Sequence, residues 1–310
     1  LGGSTISGIR FGHVDRLDVL GRDAALLTLR SGEQIELTAN ASDLGSGLRA
    51  LLVEAPNGGV AELGWSDLAS VDFQPAPDTP PSQRRMHGTV TTRTGLEFTG
   101  YVTWDVDEIY STDVLDGESD GRMMQIAFGD IDTIERYASW GSRVTLRDGA
   151  RYLLEGTNDV DASISGIEVS DPTLGSVKLD WREFERVRFH EPEADVAQAN
   201  FDGGAPLRGT VVTRSGSSHS GEIVWDADER YTWEMLNGDT DGLELHVEFG
   251  QVDRIVRSGD GADVTLRDGR TFHLSGSNDV DHGNRGITIR TDGREYEVSW
   301  QDFAEARFTR

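Results

Sequence analysis

The sequence predicts an all-β protein made of tandem small barrels. Three observations predict this fold: the chain repeats itself, apolar and polar residues alternate in short runs, and turn-forming residues separate the runs. Trp104 and Trp225 stand at matching places of two copies, and so do Phe128 and Phe249. A further copy, which lacks its beginning, enters at Phe11. A repeat of this length determines architecture more firmly than local propensities do.

The last copy shows the predicted elements in order. Alternating runs, typical of half-buried antiparallel strands, lie at 209–214, 218–225, 230–233, 243–248, 252–257, 262–267, 270–275, 286–290, 295–299 and 306–309. Gly, Asn and Asp mark the turns between them. The residues before the last strand of each half predict one short helical turn, and no longer helix is expected.

The ten strands form two groups of five, which we name the A unit and the B unit. Each unit has about 50–60 residues, and an A–B pair has the size of an ordinary domain. The predicted divisions are a first repeat at 1–73 (last two strands of an A unit at 1–20, B unit at 21–73), a Pro-rich linker at 74–86, a second repeat at 87–190 (A 87–139, B 141–190), a linker at 191–207 and a third repeat at 208–310 (A 208–258, B 261–309).

Five short strands with a helical turn before the last resemble an SH3-like small barrel. The start of the A unit, residues 211–216 (VVTRSG) and 221–226 (GEIVWD), resembles the Sm-like version of that barrel. RNA binding is not carried over from this resemblance, because the chain is strongly acidic and has no basic loop cluster. The repeat also resembles those of exported bacterial proteins, which implies an extracellular, periplasmic or cell-surface location but no activity.

Composition limits the partners of the chain. The net charge of −26 argues against nucleic acids and anionic membranes and favours cations or basic partners. The absence of cysteine excludes disulfides and thiolate metal sites. No apolar run approaches the ~18 residues of a membrane span, so we expect no membrane insertion. The sequence begins at Leu1, and a removed signal peptide is one explanation.

Acidic clusters in the A units are the main candidate sites. Oxygen ligands at alternate positions followed by Gly resemble a calcium-binding loop, and in the third repeat a Glu stands at the twelfth position. A plain polar hairpin turn is the alternative explanation, because such turns also favour Asp, Asn and Gly. The predicted calcium ligands are Asp105, Asp107, Glu108, Asp116, Glu118 and Asp120 in the second repeat, and Asp226, Asp228, Glu229, Asn237, Asp239, Asp241 and Glu248 in the third.

Three further groups are weaker candidates. The B units repeat an Asn-Asp-Val-Asp loop that either ligates an ion or ties the loop by side-chain-to-backbone hydrogen bonds; its polar residues are Asn158, Asp159, Asp161, Asn278, Asp279 and Asp281. Trp104 and Trp225, at strand ends beside the acidic clusters, are candidates for stacking on sugars. Asn40 begins an Asn-x-Ser glycosylation sequon.

No motif of catalysis is present: the sequence contains no nucleophile elbow, zincin helix or phosphate-binding Gly loop. We therefore expect a non-catalytic, exported structural protein that self-assembles, with calcium stabilising its acidic loops. Residues 5–20 would leave open strand edges, which favour head-to-tail fibres. The alternative is a module of the cell envelope that binds polysaccharide or another protein.

Overall fold

The computed structural model describes residues 8–41, 43–55, 58–74, 84–192 and 201–309. These residues form 26 strands and six 3-10 helical turns of three residues each. The predicted all-β class is confirmed. Within the described parts of the chain, no helix has the length and apolarity needed to cross a membrane.

The described residues belong to two compact units. These are larger than the A and B units, and we call them the first unit and the second unit. The first unit contains the first repeat, residues 8–74, together with residues 201–205. The second unit contains residues 84–192 and 206–309, which include the described parts of the second and third repeats.

The first unit contains a four-stranded antiparallel sheet and a separate hairpin. Its strands are β1 Val14–Gly21, β2 Ala24–Leu29, β3 Gln34–Thr38, β4 Leu51–Glu54, β5 Val60–Leu63 and β6 Ser70–Asp72. The sheet order is β3-β2-β1-β6, and β4 pairs with β5. Its helical turns are Phe11–His13, Gly45–Gly47 and Trp65–Asp67. Asn40 is exposed, and Ser42 of its sequon lies outside the described residues.

The predicted open edges at residues 5–20 do not occur in the described part of that segment. Residues 5–7 lie outside the described residues, and the remainder contains a single strand, β1. Strand β1 pairs with β2 on one side and with β6 on the other. Because both of its edges are already hydrogen-bonded, β1 cannot supply the fibre contact that the sequence suggested.

Part of the predicted linker at 191–207 packs onto the first unit. The Gly203 N–H donates a hydrogen bond to Nδ1 of His13 at 3.2 Å, and Ser31 Oγ donates to the Gly203 carbonyl at 2.9 Å. The ring of Phe201 packs edge-on against His13. This stretch is therefore a structural part of the first unit.

Each of the second and third repeats contributes ten strands. The second repeat has β7 His87–Thr92, β8 Glu97–Trp104, β9 Val114–Ser119, β10 Arg122–Ala127, β11 Ile131–Ala138, β12 Gly141–Leu146, β13 Arg151–Glu155, β14 Ile167–Asp171, β15 Gly175–Leu179 and β16 Phe184–Phe189. The third has β17 Arg208–Thr213, β18 Ser218–Val224, β19 Met235–Thr240, β20 Leu243–Glu248, β21 Val252–Ser258, β22 Gly261–Leu266, β23 Thr271–Leu274, β24 Ile287–Thr291, β25 Arg294–Val298 and β26 Phe303–Phe308. The helical turns are Phe128–Asp130, Asn158–Val160 and Phe249–Gln251.

In the second and third repeats, strands of the A unit pair with strands of the B unit in one sheet. One sheet has the order β10-β9-β13-β12-β11-β16-β7-β8-β14-β15-β20-β19, and the other has the order β23-β22-β21-β26-β17-β18-β24-β25. Strand β11 of the A unit thus lies between β12 and β16 of the B unit. The two residues between β11 and β12 form a tight hairpin turn, which forces the strands of the two units to pair. No closed barrel is formed by the described strands, so the SH3-like and Sm-like description is not confirmed.

The second and third repeats are joined edge to edge. Strand β15 pairs with β20 from Gly175 opposite Val247 to Leu179 opposite Leu243. One apolar core runs through both repeats and contains Trp104, Phe128, Trp225 and Phe249. Burial of these large side chains stabilises the fold by about 25 cal/mol for each Å² of apolar surface removed from water.

Candidate metal centre

A tight acidic turn follows the second strand of each A unit. In the second repeat, Trp104 and Glu108 face each other across the turn, and the Glu108 N–H donates to the Trp104 carbonyl at 3.0 Å. Asp105 and Val106 have φ values of 48° and 60°. A left-handed conformation costs a non-glycine residue about 1–2 kcal/mol. Trp225 and Glu229 close the same turn in the third repeat, so this backbone geometry is a property of the repeat.

Each turn brings three carboxylates together. The ligand oxygens of Asp105, Asp107 and Glu108 lie within 4.8 Å of one another, and we call them the second-repeat triad. Asp226, Asp228 and Glu229 form the equivalent third-repeat triad. Among the described residues, these are the two groups of three or more His, Asp or Glu side chains close enough to share a metal ion.

The first aspartate of each triad is buried and held by the Asn-Asp-Val-Asp loop. Asp105 accepts hydrogen bonds from Asn158 Nδ2 and from the backbone N–H of Ser165. Asp226 accepts the equivalent bonds from Asn278 Nδ2 and the Arg285 N–H. The asparagine of the loop therefore orients a carboxylate of the triad in both repeats.

The central aspartate of that loop accepts a hydrogen bond from a backbone N–H of the A unit. The Asp116 N–H donates to Asp159 Oδ2 at 2.7 Å, and in the third repeat the Asn237 N–H donates to Asp279 Oδ2 at 2.7 Å. The last aspartates, Asp161 and Asp281, accept hydrogen bonds from nearby backbone N–H groups of their own loop. These contacts match the loop-tying alternative for the motif.

Both tryptophans of the acidic turns are fully buried, with no exposed surface. Trp104 Nε1 donates to the Asp159 carbonyl at 2.8 Å, and Trp225 Nε1 donates to the Asp279 carbonyl at 2.8 Å. A ring enclosed in this way cannot stack on a sugar. The predicted sugar contact at these two residues is therefore wrong for this structure.

The predicted calcium loop does not form, because its residues are spread along a hairpin. Strands β9 and β10 are joined by the two-residue turn Asp120-Gly121, where both φ values are positive. In the third repeat Asp241-Gly242 forms the same turn, and Glu248 lies opposite Met235 at the far end of the hairpin. The predicted strand at 230–233 is absent, and β19 replaces the predicted turn. The predicted calcium ligands that lie along these two hairpins, and so do not form one loop, are Asp116, Glu118, Asp120, Asn237, Asp239, Asp241 and Glu248.

An arginine distinguishes the two triads. Arg285 Nη2 donates to Asp226 Oδ2 at 2.7 Å and also contacts Asp228 Oδ1. Its Nε donates to the same Asp226 oxygen at 3.1 Å. The equivalent residue of the second repeat is Ser165, which contributes its backbone N–H but carries no charge. The third-repeat triad is thus neutralised in part by its own chain, whereas the second-repeat triad has no cation at that position.

Burial leaves one oxygen of each glutamate unsatisfied. Glu108 Oε2 and Glu229 Oε2 are buried and have no hydrogen-bond partner. Burial, together with the neighbouring Asp107 and Asp159, raises the pKa of Glu108 to about 8. Burial, together with Asp279 and Asp228, raises the pKa of Glu229 to about 9. A divalent cation bound to a triad would compensate this cost by stabilising the ionised carboxylates.

Comparison of the chain with family models, with curated proteins and with solved structures gives no match. Functional inference therefore depends on the geometry of the two triads. Arg285 was not among the site residues predicted from the sequence. The signal was present in the alignment of the repeats, where Arg285 and Ser165 are the equivalent residues of two otherwise similar loops.

The raised pKa of Glu229 predicts that stability falls with increasing pH. A carboxyl group whose pKa is higher in the folded state than its ordinary value of 4.5 contributes stability below that value and loses it as the pH rises towards about 9. In EDTA, we expect the unfolding free energy of wild type relative to Glu229→Gln to decrease between about pH 5 and pH 9. Urea unfolding across this pH range measures the difference in unfolding free energy, and the exposed Glu97→Gln is the control. An equal pH response in wild type and Glu229→Gln would contradict the assignment.

Proposed function

We propose that this protein is a non-catalytic structural repeat protein whose second-repeat triad binds calcium. The observation that carries the proposal is the difference between the triads. The fold places the guanidinium of Arg285 against Asp226 and Asp228 in one repeat and Ser165 at the same position of the other. An ion from solution supplies the charge that the second repeat lacks.

The chemistry of the second-repeat triad favours calcium over zinc. Its ligands are carboxylate oxygens, and calcium accepts six to eight oxygen ligands in flexible geometry. Zinc prefers nitrogen and sulfur ligands, and the triad contains neither His nor Cys. Because three side chains leave several positions to water, we expect a dissociation constant on the order of 10⁻⁴ M, as in extracellular calcium modules.

The bound ion would stabilise the folded state of the second repeat. Asp105 connects the turn after β8 to the loop of Asn158 and Ser165, so an ion at the triad ties together two parts of the same repeat. A calcium concentration of about 100 times the dissociation constant stabilises the folded state by about 2.7 kcal/mol. Dependence on calcium at this level fits an exported or cell-surface location, which is part of the proposal.

Calcium titration of matched variants tests the proposal. Asp107 is exposed, so Asp107→Asn removes a ligand charge without disturbing the core. We expect wild type to bind calcium in isothermal titration calorimetry and Asp107→Asn to bind it at least about tenfold more weakly, a loss of about 1.4 kcal/mol. Asp228→Asn, the equivalent change in the third repeat, is the control and should bind calcium as wild type does. Equal effects of the two changes, or no binding by wild type, would refute the proposal.

A further inference from the structure

The junction between the second and third repeats shows how one repeat binds the next. Strand β15, the last strand in the sheet of the second repeat, pairs with β20 of the third. On the paired strand β20, Leu243 and Leu245 belong to the apolar core and are 2% and 0% exposed. The edge strand of the second repeat therefore pairs with the β19–β20 hairpin of the third.

The same two surfaces are present again at the other ends of the second unit. Strand β25 is the equivalent of β15 and pairs only with β24 among the described strands. Strand β10 is the equivalent of β20 and pairs only with β9. Each strand therefore has one edge of backbone N–H and carbonyl groups that no described strand covers. Such edges are templates for pairing with another chain.

The register of the existing junction identifies the backbone groups that point outward. The Glu248 N–H donates to the Leu174 carbonyl at 2.8 Å, and every second residue beyond it exchanges hydrogen bonds across the junction. The exchanging residues of β15 are Ser176 and Lys178. Their equivalents in β25 are Glu295 and Glu297, and the facing residues in β10 are Gln125 and Met123.

We propose that β25 of one copy pairs with β10 of a second copy in the register of the β15–β20 junction. Glu297 then faces Met123, and Tyr296 faces Met124. Met123 is 63% exposed in the single chain, and Met124 replaces the buried Leu245 of the existing junction. No two like charges face each other in this register. A heterologous contact of this kind adds one copy after another and produces open chains.

A glycine of the existing junction has no counterpart in the new one, and its absence limits the length of the new pairing. Gly175 has a φ of 144°, and a Cβ at this residue would lie 2.0 Å from the His246 carbonyl oxygen. Its equivalent in β25 is Arg294, so pairing between copies begins at Glu295 and covers four residues. Such a short contact is weak, and the net charge of −26 opposes it. We therefore expect assembly at high protein concentration and more assembly as salt screens the charge.

Proline substitution tests the contact on each side separately. Glu297→Pro removes an outward N–H from β25, and Met123→Pro removes one from β10; proline is tolerated at such positions of edge strands. In sedimentation velocity, we expect wild type to form larger species as concentration increases and each variant alone to remain monomeric. An equimolar mixture should form a dimer and nothing larger, because each variant retains the edge that the other lacks. This mixture also shows that both variants are folded.

The control is Glu297→Gln, which removes the same charge but keeps the N–H and should assemble as wild type does. Wild type that remains monomeric at all concentrations, or variants that still form larger species, would overturn the inference. The inference rests on the proposed structural function for its biological meaning. All samples are therefore measured both in EDTA and in calcium: assembly in EDTA supports the strand contact even if calcium binding fails, and calcium binding by a monomer supports only the earlier proposal.

Discussion

Replacing Arg285 with serine is expected to destabilise the protein by about 2 kcal/mol in EDTA and to create a second calcium site. Asp226 is completely buried, and Arg285 is its cationic partner. Removing one partner of a buried ion pair costs about 3–5 kcal/mol when the remaining charge is left uncompensated. The expected loss is smaller here because Asp226 keeps its hydrogen bond from Asn278 and because Arg285 is half exposed.

The gain of a calcium site follows from the same geometry. Without the guanidinium, the third-repeat triad has the composition and the missing charge of the second-repeat triad. We expect calorimetric titration of Arg285→Ser to show two calcium ions per chain where wild type binds one, and calcium to restore most of the lost stability. Arg208→Ser, which removes an exposed ion pair with Glu222, is the control. It should change neither the stability nor the number of bound calcium ions by much. A destabilised variant that still binds one ion would contradict this account.

The sequence was sufficient to predict most strands but not how they pair. Period-two alternation and Gly-containing turns identified most strands, including β17, β20 and β21. Pairing depends on contacts between residues far apart in the chain, which alternation does not encode. The short connection between β11 and β12 was visible in the sequence, and it already implied that the A and B units share a sheet. A division into separate barrels overlooked that hairpin.

The predicted grouping of acidic residues was correct where the residues lie in one turn and wrong where strand pairing separates them. Asp105, Asp107 and Glu108 lie within one tight turn, so closeness in sequence became closeness in space. Asp116, Glu118 and Asp120 have the same composition, but they run along β9 into its turn. Asp, Asn and Gly favour ion-binding loops and hairpin turns for related backbone reasons, and sequence alone does not separate the two. The cationic side chain of Arg285 was missed because it is distant in sequence from Asp226.

The reciprocal change, Ser165→Arg, is expected to abolish calcium binding at the second-repeat triad. Ser165 is exposed, as Arg285 is, so its position can accept a larger side chain without disturbing the core. Its N–H already contacts Asp105, and an arginine side chain placed as in the third repeat reaches Asp105 and Asp107. The guanidinium would then compete with the ion for the same carboxylates and weaken calcium binding about 100-fold or more, which corresponds to about 2.8 kcal/mol.

Calorimetric titration of Ser165→Arg with calcium is the most direct test of the central claim, that one repeat binds an ion where the other uses an arginine. The prediction is a folded protein that melts in EDTA at a higher temperature than wild type and releases no heat of calcium binding. Ser165→Gln, which adds bulk without charge, is the control and should retain the calcium site. A Ser165→Arg variant that binds calcium with the affinity and stoichiometry of wild type would contradict the claim.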